Sequence, residues 1–370
     1  MREERRAPWI VALSLVLVLL IAGCVFLSVR YCNRTEGGKL LGFGKAPSLS
    51  EVDDIELITK PDQKVALGET QTPIPEDIME NEDAVVSVAQ VEFKENVDTV
   101  ESVKAFFSAW AFSGGDKMYS SAVSNVLVVI GGSDNFNNDL IALVSISKAS
   151  KSIMISPFFR DSYVCVKSGG KNVYTTLNTV YSKYGIDALR AAVSDNFKIK
   201  IDKYASFTFK TLKETVDALG GVSTDDGKLN SGDISNYIGS GAQNDALRLK
   251  RHGRLIAGVI KGVQSKTINE LKSLGSCVKK GLNTNLTTSE LSEFGARALA
   301  EGWKYYSVSR NISYLLTNCI KVSGFETSFG AADVYIVDYV LSARALQKEI
   351  YGSTNIKVSS SHKSVTILFA

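Results

Sequence analysis

Three short segments of this 370-residue chain carry side chains of the kind that hold phosphate. Gly131-Gly132-Ser133-Asp134 closes an aliphatic run, and Asp139 opens the next one five residues later. In open α/β sheets ligands gather beyond such strand ends, and paired glycines let a backbone approach a phosphate closely. Mg2+ takes one or two carboxylates together with substrate phosphates. By itself the segment is also an ordinary turn, because Gly, Asp and Asn dominate turns. The second segment, Ser156-Pro157-Phe158-Phe159-Arg160-Asp161-Ser162-Tyr163-Val164, follows a third aliphatic run. Arg160 offers a planar fork for a phosphate, or makes a plain surface pair with Asp161. The third is Gln243-Asn-Asp-Ala-Leu-Arg248-Leu-Lys-Arg251-His252-Gly-Arg254, where the arginines recur every third residue and fall near one face of a helix. Three guanidinium groups on one face repel each other unless an anion joins them. A solvated basic face is the alternative.

Other chemistries are thinly supplied. His252 and His362 are the only histidines, which speaks against multi-histidine metal sites and Ser–His–Asp triads. The five cysteines, Cys24, Cys32, Cys165, Cys277 and Cys319, form no C-x-x-C, so neither a zinc ribbon nor a thioredoxin-type site is available. A Cys277–Cys319 disulfide is allowed outside the cell by compartment alone. A formal net charge of +3, with no Lys/Arg run of five, argues against nucleic acid.

The elements that must position these residues follow from periodicity. A strand over Val85 to Phe93 precedes a helix with Val100, Val103, Phe106, Phe107 and Trp110 on its apolar face. Val126–Ile130, Leu140–Ile146 and Ser152–Ile155 are short aliphatic runs bounded by Gly, Ser or Asn, as buried strands are. Leu177–Tyr184 and Ile186–Val193 predict helices, and Ile199–Phe209 alternates like a strand. Leu212, Val216 and Leu219 share a helical face that stops at Gly220-Gly221. Arg248–Val263 predicts a further helix, and Thr287-Thr-Ser-Glu290 is a capping box opening another that runs to about Gly302. Strands mixed with helices imply a layered α/β domain.

Ahead of this body, Trp9 to Val29 holds 21 uncharged positions, enough for a helix of roughly 31 Å to cross a bilayer. Arg2, Arg5 and Arg6 precede it, and Arg30, Arg34, Lys39 and Lys45 follow it, so charge alone leaves the orientation open. An uncleaved anchor is the reading held. Ile21-Ala-Gly-Cys24 also fits a lipobox, and a cleaved secretory signal is the third option. All three put the body outside the cytoplasm. Between Glu51 and Asp83 eleven acidic residues face two lysines, and four of the six prolines lie in the wider stretch. That composition cannot bury enough apolar surface to offset its ordering entropy. The expected organisation is therefore a short cytoplasmic segment (1–8), an anchor (9–29), an acidic stalk (30–83) and an extracytoplasmic domain (84–370).

The order and spacing of several motifs resemble the LytR–CpsA–Psr family of cell-wall glycopolymer transferases. The run Leu127 to Ile146 resembles that family's first strand, acidic turn and second strand, and Arg160-Asp-Ser-Tyr-Val164 its Arg-Asp-Thr-Tyr-Val motif. Leu177-Asn-Thr-Val-Tyr-Ser-Lys-Tyr-Gly185, Asn196-Phe-Lys-Ile-Lys-Ile-Asp-Lys-Tyr204 and Thr284-Asn-Leu-Thr-Thr-Ser-Glu-Leu291 are similar as well. Val216-Asp-Ala-Leu-Gly-Gly-Val222 is the most specific. The resemblance covers about residues 124 to 300. It implies a three-layer α/β/α sandwich with a central mixed sheet, and a membrane-anchored transferase. Such an enzyme moves a phosphoglycan from a polyprenyl-pyrophosphate carrier to a peptidoglycan hydroxyl with Mg2+. By position, Asp134 and Asp139 would hold the metal, and Arg160, Arg248, Arg251 and Arg254 the pyrophosphate. Asp161 would act beside Arg160 as general base or, preferably, as the carboxylate that orients it. The chain departs from the family at Asn137-Asn138, where an arginine is usual. That departure keeps a second reading in view: a non-catalytic module of the same fold that binds a polyprenyl lipid or wall glycan.

Overall fold

The computed structural model describes residues 88–93, 96–113, 117–131, 138–239, 244–267, 281–286 and 302–369, with single positions between 270 and 278. The anchor, the stalk, Asp134 and the Thr287–Glu290 capping box lie outside the described residues.

Strand β1 (Gln90–Glu92) leads to helix α1 (Val97–Phe112), started by Asn96, whose side chain accepts from the amides of Asp98 and Thr99. All five apolar residues expected on its inner face are buried. The aliphatic runs become β2 (Val123–Gly131), β3 (Asn138–Ser147) and β4 (Ser152–Phe158). Together with β7 (Lys203–Thr208), β10 (Leu282–Thr284) and β11 (Ser307–Arg310) they form one six-stranded sheet in the order β10-β7-β2-β3-β4-β11. β2 pairs parallel with β7 and antiparallel with β3, and β4 pairs parallel with β11, so the sheet is mixed.

The sheet is buried on both faces. Leu127, Val129, Ile141 and Leu143 join a core with α1, with α2 (Leu177–Phe197) and with a late helix at Tyr339–Tyr351. Val126, Val128, Ile130, Leu140, Ala142 and Val144 face the other way, onto α3 (Phe209–Leu219), α4 (Ile234–Ile238) and α5 (Asp245–Gln264). Side chains alternate along a strand, so a one-residue slip would exchange the two cores. Near-continuous apolar runs are what such strands require.

Two backbone details shape the helices. Gly185 interrupts α2 at φ 80° and ψ −175°, a conformation open essentially to glycine, which divides it where the two expected helices meet. On α5, a Cβ added to Gly258 would lie 2.6 Å from the Ser223 carbonyl oxygen, so glycine lets this helix press against β8 (Val222–Thr224). α3 stops at Gly220, as expected. The strand expected over Ile199–Phe209 is shorter. Ile199 and Ile201 are core residues ahead of β7, and Lys198 turns the chain there with φ 50°.

Several elements carried no clear sequence signal. β5 (Tyr163–Ser168) and β6 (Lys171–Thr176) form a hairpin between β4 and α2. β9 (Gly227–Leu229) closes a second hairpin with β8. After the short helix α6 (Ser313–Leu316), β12 (Cys319–Thr327) and β13 (Gly330–Val337) pair antiparallel, with β1 added parallel to β12. Helix α7 (Tyr339–Tyr351), capped by the Asp338 side chain, completes the first core. Cys165 and Cys319 are free, buried thiols.

Candidate active site

β4 ends at Phe158, and a tight turn follows. Both the amide and the hydroxyl of Ser162 donate to the Phe159 carbonyl, at 3.1 and 2.8 Å. Arg160 and Asp161 thus occupy the two central positions of a β-turn. The Asn178 amide, in the first turn of α2, donates to the Arg160 carbonyl (2.8 Å), and the Tyr335 amide of β13 to the Asp161 carbonyl (2.9 Å). Backbone bonds hold the turn, so its two charged side chains are not needed to maintain it. Arg160 Nε lies 3.4 Å from Asp161 Oδ2. Burial pushes the Asp161 carboxyl above the ordinary carboxylate range, outweighing the nearby charges of Arg160 and Arg248.

Arg248 comes from α5. Asn244 caps that helix by accepting from the Leu247 amide, and Asp245 stands in its first turn, where a negative charge suits the helix dipole. Asp245 pairs with Arg248 one turn on (2.8 Å) and also accepts from Lys321 Nζ (2.8 Å) and the Tyr335 hydroxyl. Burial drives the Asp245 carboxyl upward. The bonds from Lys321 and Tyr335 and the charge of Arg248 outweigh it and hold the group below the usual range.

Arg160 and Arg248 converge although 88 residues separate them. Both act electrostatically on Asp161, and both act on His252. His252 is fully buried, and its Nε2 donates to the Ile238 carbonyl at 3.1 Å. Burial, with the two arginines opposing a further positive charge, lowers its pKa to about 4, so it is neutral. The three arginines of α5 diverge. Steps of three residues rotate by about −60° around a helix, which puts Arg254 roughly 120° from Arg248. Arg254 is buried on Asp226 (2.7 Å) and Asp225 (3.6 Å) in the β8–β9 turn, where Arg310 also meets Asp225. Arg251 lies between them, its guanidinium 5.1 Å from the Tyr237 ring centre.

Of the two aspartates expected to hold a metal, Asp134 is outside the described residues and Asp139 enters through its backbone. Ile130 pairs with Leu140 and Gly131 with Asn138, so Asp139 falls in a bulge of β3. Bulges concentrate beside active sites, where they re-aim a strand. Among the described residues no three His, Cys, Asp or Glu side chains gather as metal ligands, and no helix is long and apolar enough to cross a membrane.

Asp245, Lys321, Tyr335 and His252 were not singled out from sequence. Asp245 could have been, because an acid three residues before an arginine on a helix is a stabilising pair. Lys321 and Tyr335 had no such signal.

Comparison with known proteins agrees with this architecture. The polyisoprenyl-teichoic acid–peptidoglycan teichoic acid transferase TagU of Bacillus anthracis is 24% identical over 199 residues, 48% of this chain and 65% of the relative. The chain thus spans less than two thirds of that relative's length. Bacillus subtilis TagV shares the fold with a TM-score of 0.50 at 16% identity, covering 64% of this chain and all (100%) of that one. A structure described as a transcriptional regulator from Enterococcus faecalis has a TM-score of 0.50 at 17% identity, covering 62% of this chain and 87% of the other. Residues 111–241, about a third of the chain, from the end of α1 through the Arg160 turn to the loop before α5, match the LytR_cpsA_psr family.

Proposed function

We propose that this protein transfers a phosphoglycan from a polyprenyl-pyrophosphate carrier to a hydroxyl of peptidoglycan. The observation that carries the reading is the meeting of Arg160 and Arg248, each beside its own carboxylate, in one partly exposed cluster. A diphosphate ester resists attack until its charge is neutralised, and two guanidinium forks suit its oxygens. The acceptor hydroxyl oxygen attacks the phosphorus that bears the glycan. A P–O bond to that phosphorus forms as the P–O bond to the bridging oxygen breaks, and polyprenyl phosphate leaves. Asp161 orients Arg160, and its raised affinity for a proton suits it to take the hydroxyl proton as well. Arg251 adds positive charge one helical turn from Arg248, and Arg254 fastens α5 to the β8–β9 turn. Asp134 and Asp139 would hold Mg2+, which would supply further neutralisation of the phosphates. Residues 9–29 anchor the chain in the cell membrane as a single pass, with the domain on the extracellular side, where peptidoglycan lies.

The test is transfer by the purified full chain from a synthetic polyprenyl-pyrophosphate-linked glycan to peptidoglycan fragments, followed by mass spectrometry. Mg2+-dependent product is expected, with loss of about a hundredfold or more in Asp139→Asn. Wild-type transfer by that variant removes the metal assignment. Co-purifying polyprenyl phosphate without any product would identify a binding module instead.

A further inference from the structure

Tyr335 and Lys321 stand opposite one another in the β12–β13 ladder, beyond the family-matched residues, and both side chains end on the same oxygen of Asp245. Tyr335 also reaches the other half of the site. Its ring lies flat on Phe159 (centroids 3.8 Å apart, planes 3° apart), and its amide holds the Asp161 carbonyl. One residue of β13 therefore touches both the turn that carries Arg160 and the carboxylate that pairs with Arg248.

We propose that the β12–β13 hairpin positions Arg248 for the pyrophosphate, Tyr335 and Lys321 acting as positioning residues through Asp245. The inference rests on the function proposed above. The two carboxylate oxygens are divided: Oδ2 accepts from Lys321 and Tyr335, and Oδ1 faces Arg248. Pinning Oδ2 fixes the carboxylate plane, so Arg248 is ordered before an anion arrives and less freedom is lost on binding. Without the hairpin donors, Asp245 can turn both oxygens onto Arg248. The fork–fork pair that results competes with an incoming diphosphate for the same guanidinium. Lys321 shares this arrangement with a ring–cation contact to Tyr335 (5.9 Å), as cross-strand neighbours do.

The experiment measures binding of geranylgeranyl pyrophosphate to the full chain at fixed ionic strength. Tyr335→Phe keeps the ring on Phe159 and the backbone amide, and removes only the hydroxyl. Tyr335→Phe and Lys321→Met are each expected to weaken binding about three- to tenfold, the range that the net worth of one hydrogen bond converts to. Lys321→Arg should recover most of that loss. In an Asp245→Asn background Lys321→Met should add less than about twofold, because its route to Arg248 is already cut. A full Lys321→Met loss in that background would mean that Lys321 touches the anion itself, and would overturn the inference. So would near-wild-type binding by both Tyr335→Phe and Lys321→Met while Arg248→Ala binds poorly. If Arg248→Ala itself binds like wild type, the pyrophosphate reading fails first and takes this inference with it. Should Tyr335→Phe fail to fold, the Lys321–Asp245 cycle decides alone.

Discussion

Replacing Arg160 by alanine should separate the site from the scaffold. The turn is closed by the Ser162, Asn178 and Tyr335 amides, and none of those bonds involves the guanidinium. Its ion pair with Asp161 is long at 3.4 Å, and both side chains are more than a quarter exposed, so losing it costs stability about 1 kcal/mol at most. Transfer should respond very differently. A fork placed on a diphosphate makes two charge-assisted hydrogen bonds, each contributing roughly 1.5–3 kcal/mol. Their sum, about 3–6 kcal/mol, corresponds to a loss of about 10²- to 10⁴-fold in kcat/KM. Arg160→Lys retains the charge without the fork and should recover only part of this. The assay is steady-state transfer of a labelled glycan from a polyprenyl-pyrophosphate carrier, with thermal unfolding of each variant in the same buffer. Arg160→Ala transferring within about threefold of wild type would refute the assignment. A collapse of its melting temperature would refute the claim that the backbone alone sustains the turn.

Other expectations concern stability. Because burial raises the Asp161 carboxyl, the folded state holds that proton more tightly than the unfolded chain does, and stability falls as pH rises above the unfolded value. Asp161→Asn should therefore gain in melting temperature over wild type between acid and neutral pH, and an unchanged difference across that range would contradict the burial argument. His252 carries the opposite sign. With a folded pKa of about 4 against an unfolded value near 6.5, the wild type should lose about 3 kcal/mol relative to His252→Gln as pH falls from about 6.5 to 4. Denaturant titrations at those two pH values give the difference directly. Gly185→Ala should cost roughly 1–3 kcal/mol by forcing a side chain into a conformation reserved for glycine, and chemical denaturation would show it.

Much of the fold was legible because its signals are local. Aliphatic runs bounded by turn residues marked β2, β3 and β4, and Gly185 and Gly220 marked where helices break. The β5–β6 and β12–β13 hairpins were not legible. Their burial is uneven along each strand, so neither the continuous nor the alternating pattern stands out. At the site, Arg160, Asp161 and Arg248 could be proposed from residue type and motif order. Even spacing also nominated Arg254, which the rotation of the helix carries to Asp225 and Asp226.

The amino-acid sequence alone determined that β2, β3 and β4 are buried strands, where α2 divides and α3 stops, and that Arg160 follows a strand while Arg248 lies near a helix start. Those properties depend on neighbours a few residues apart. Only the tertiary structure decided which charges meet. Arg160, Asp245, Lys321 and Tyr335 come from four elements, and their hydrogen bonds exist only once β13 docks against the turn after β4 and the start of α5. A contact between residues 90 positions apart leaves no periodic trace along the chain, because it is set by how the layers pack.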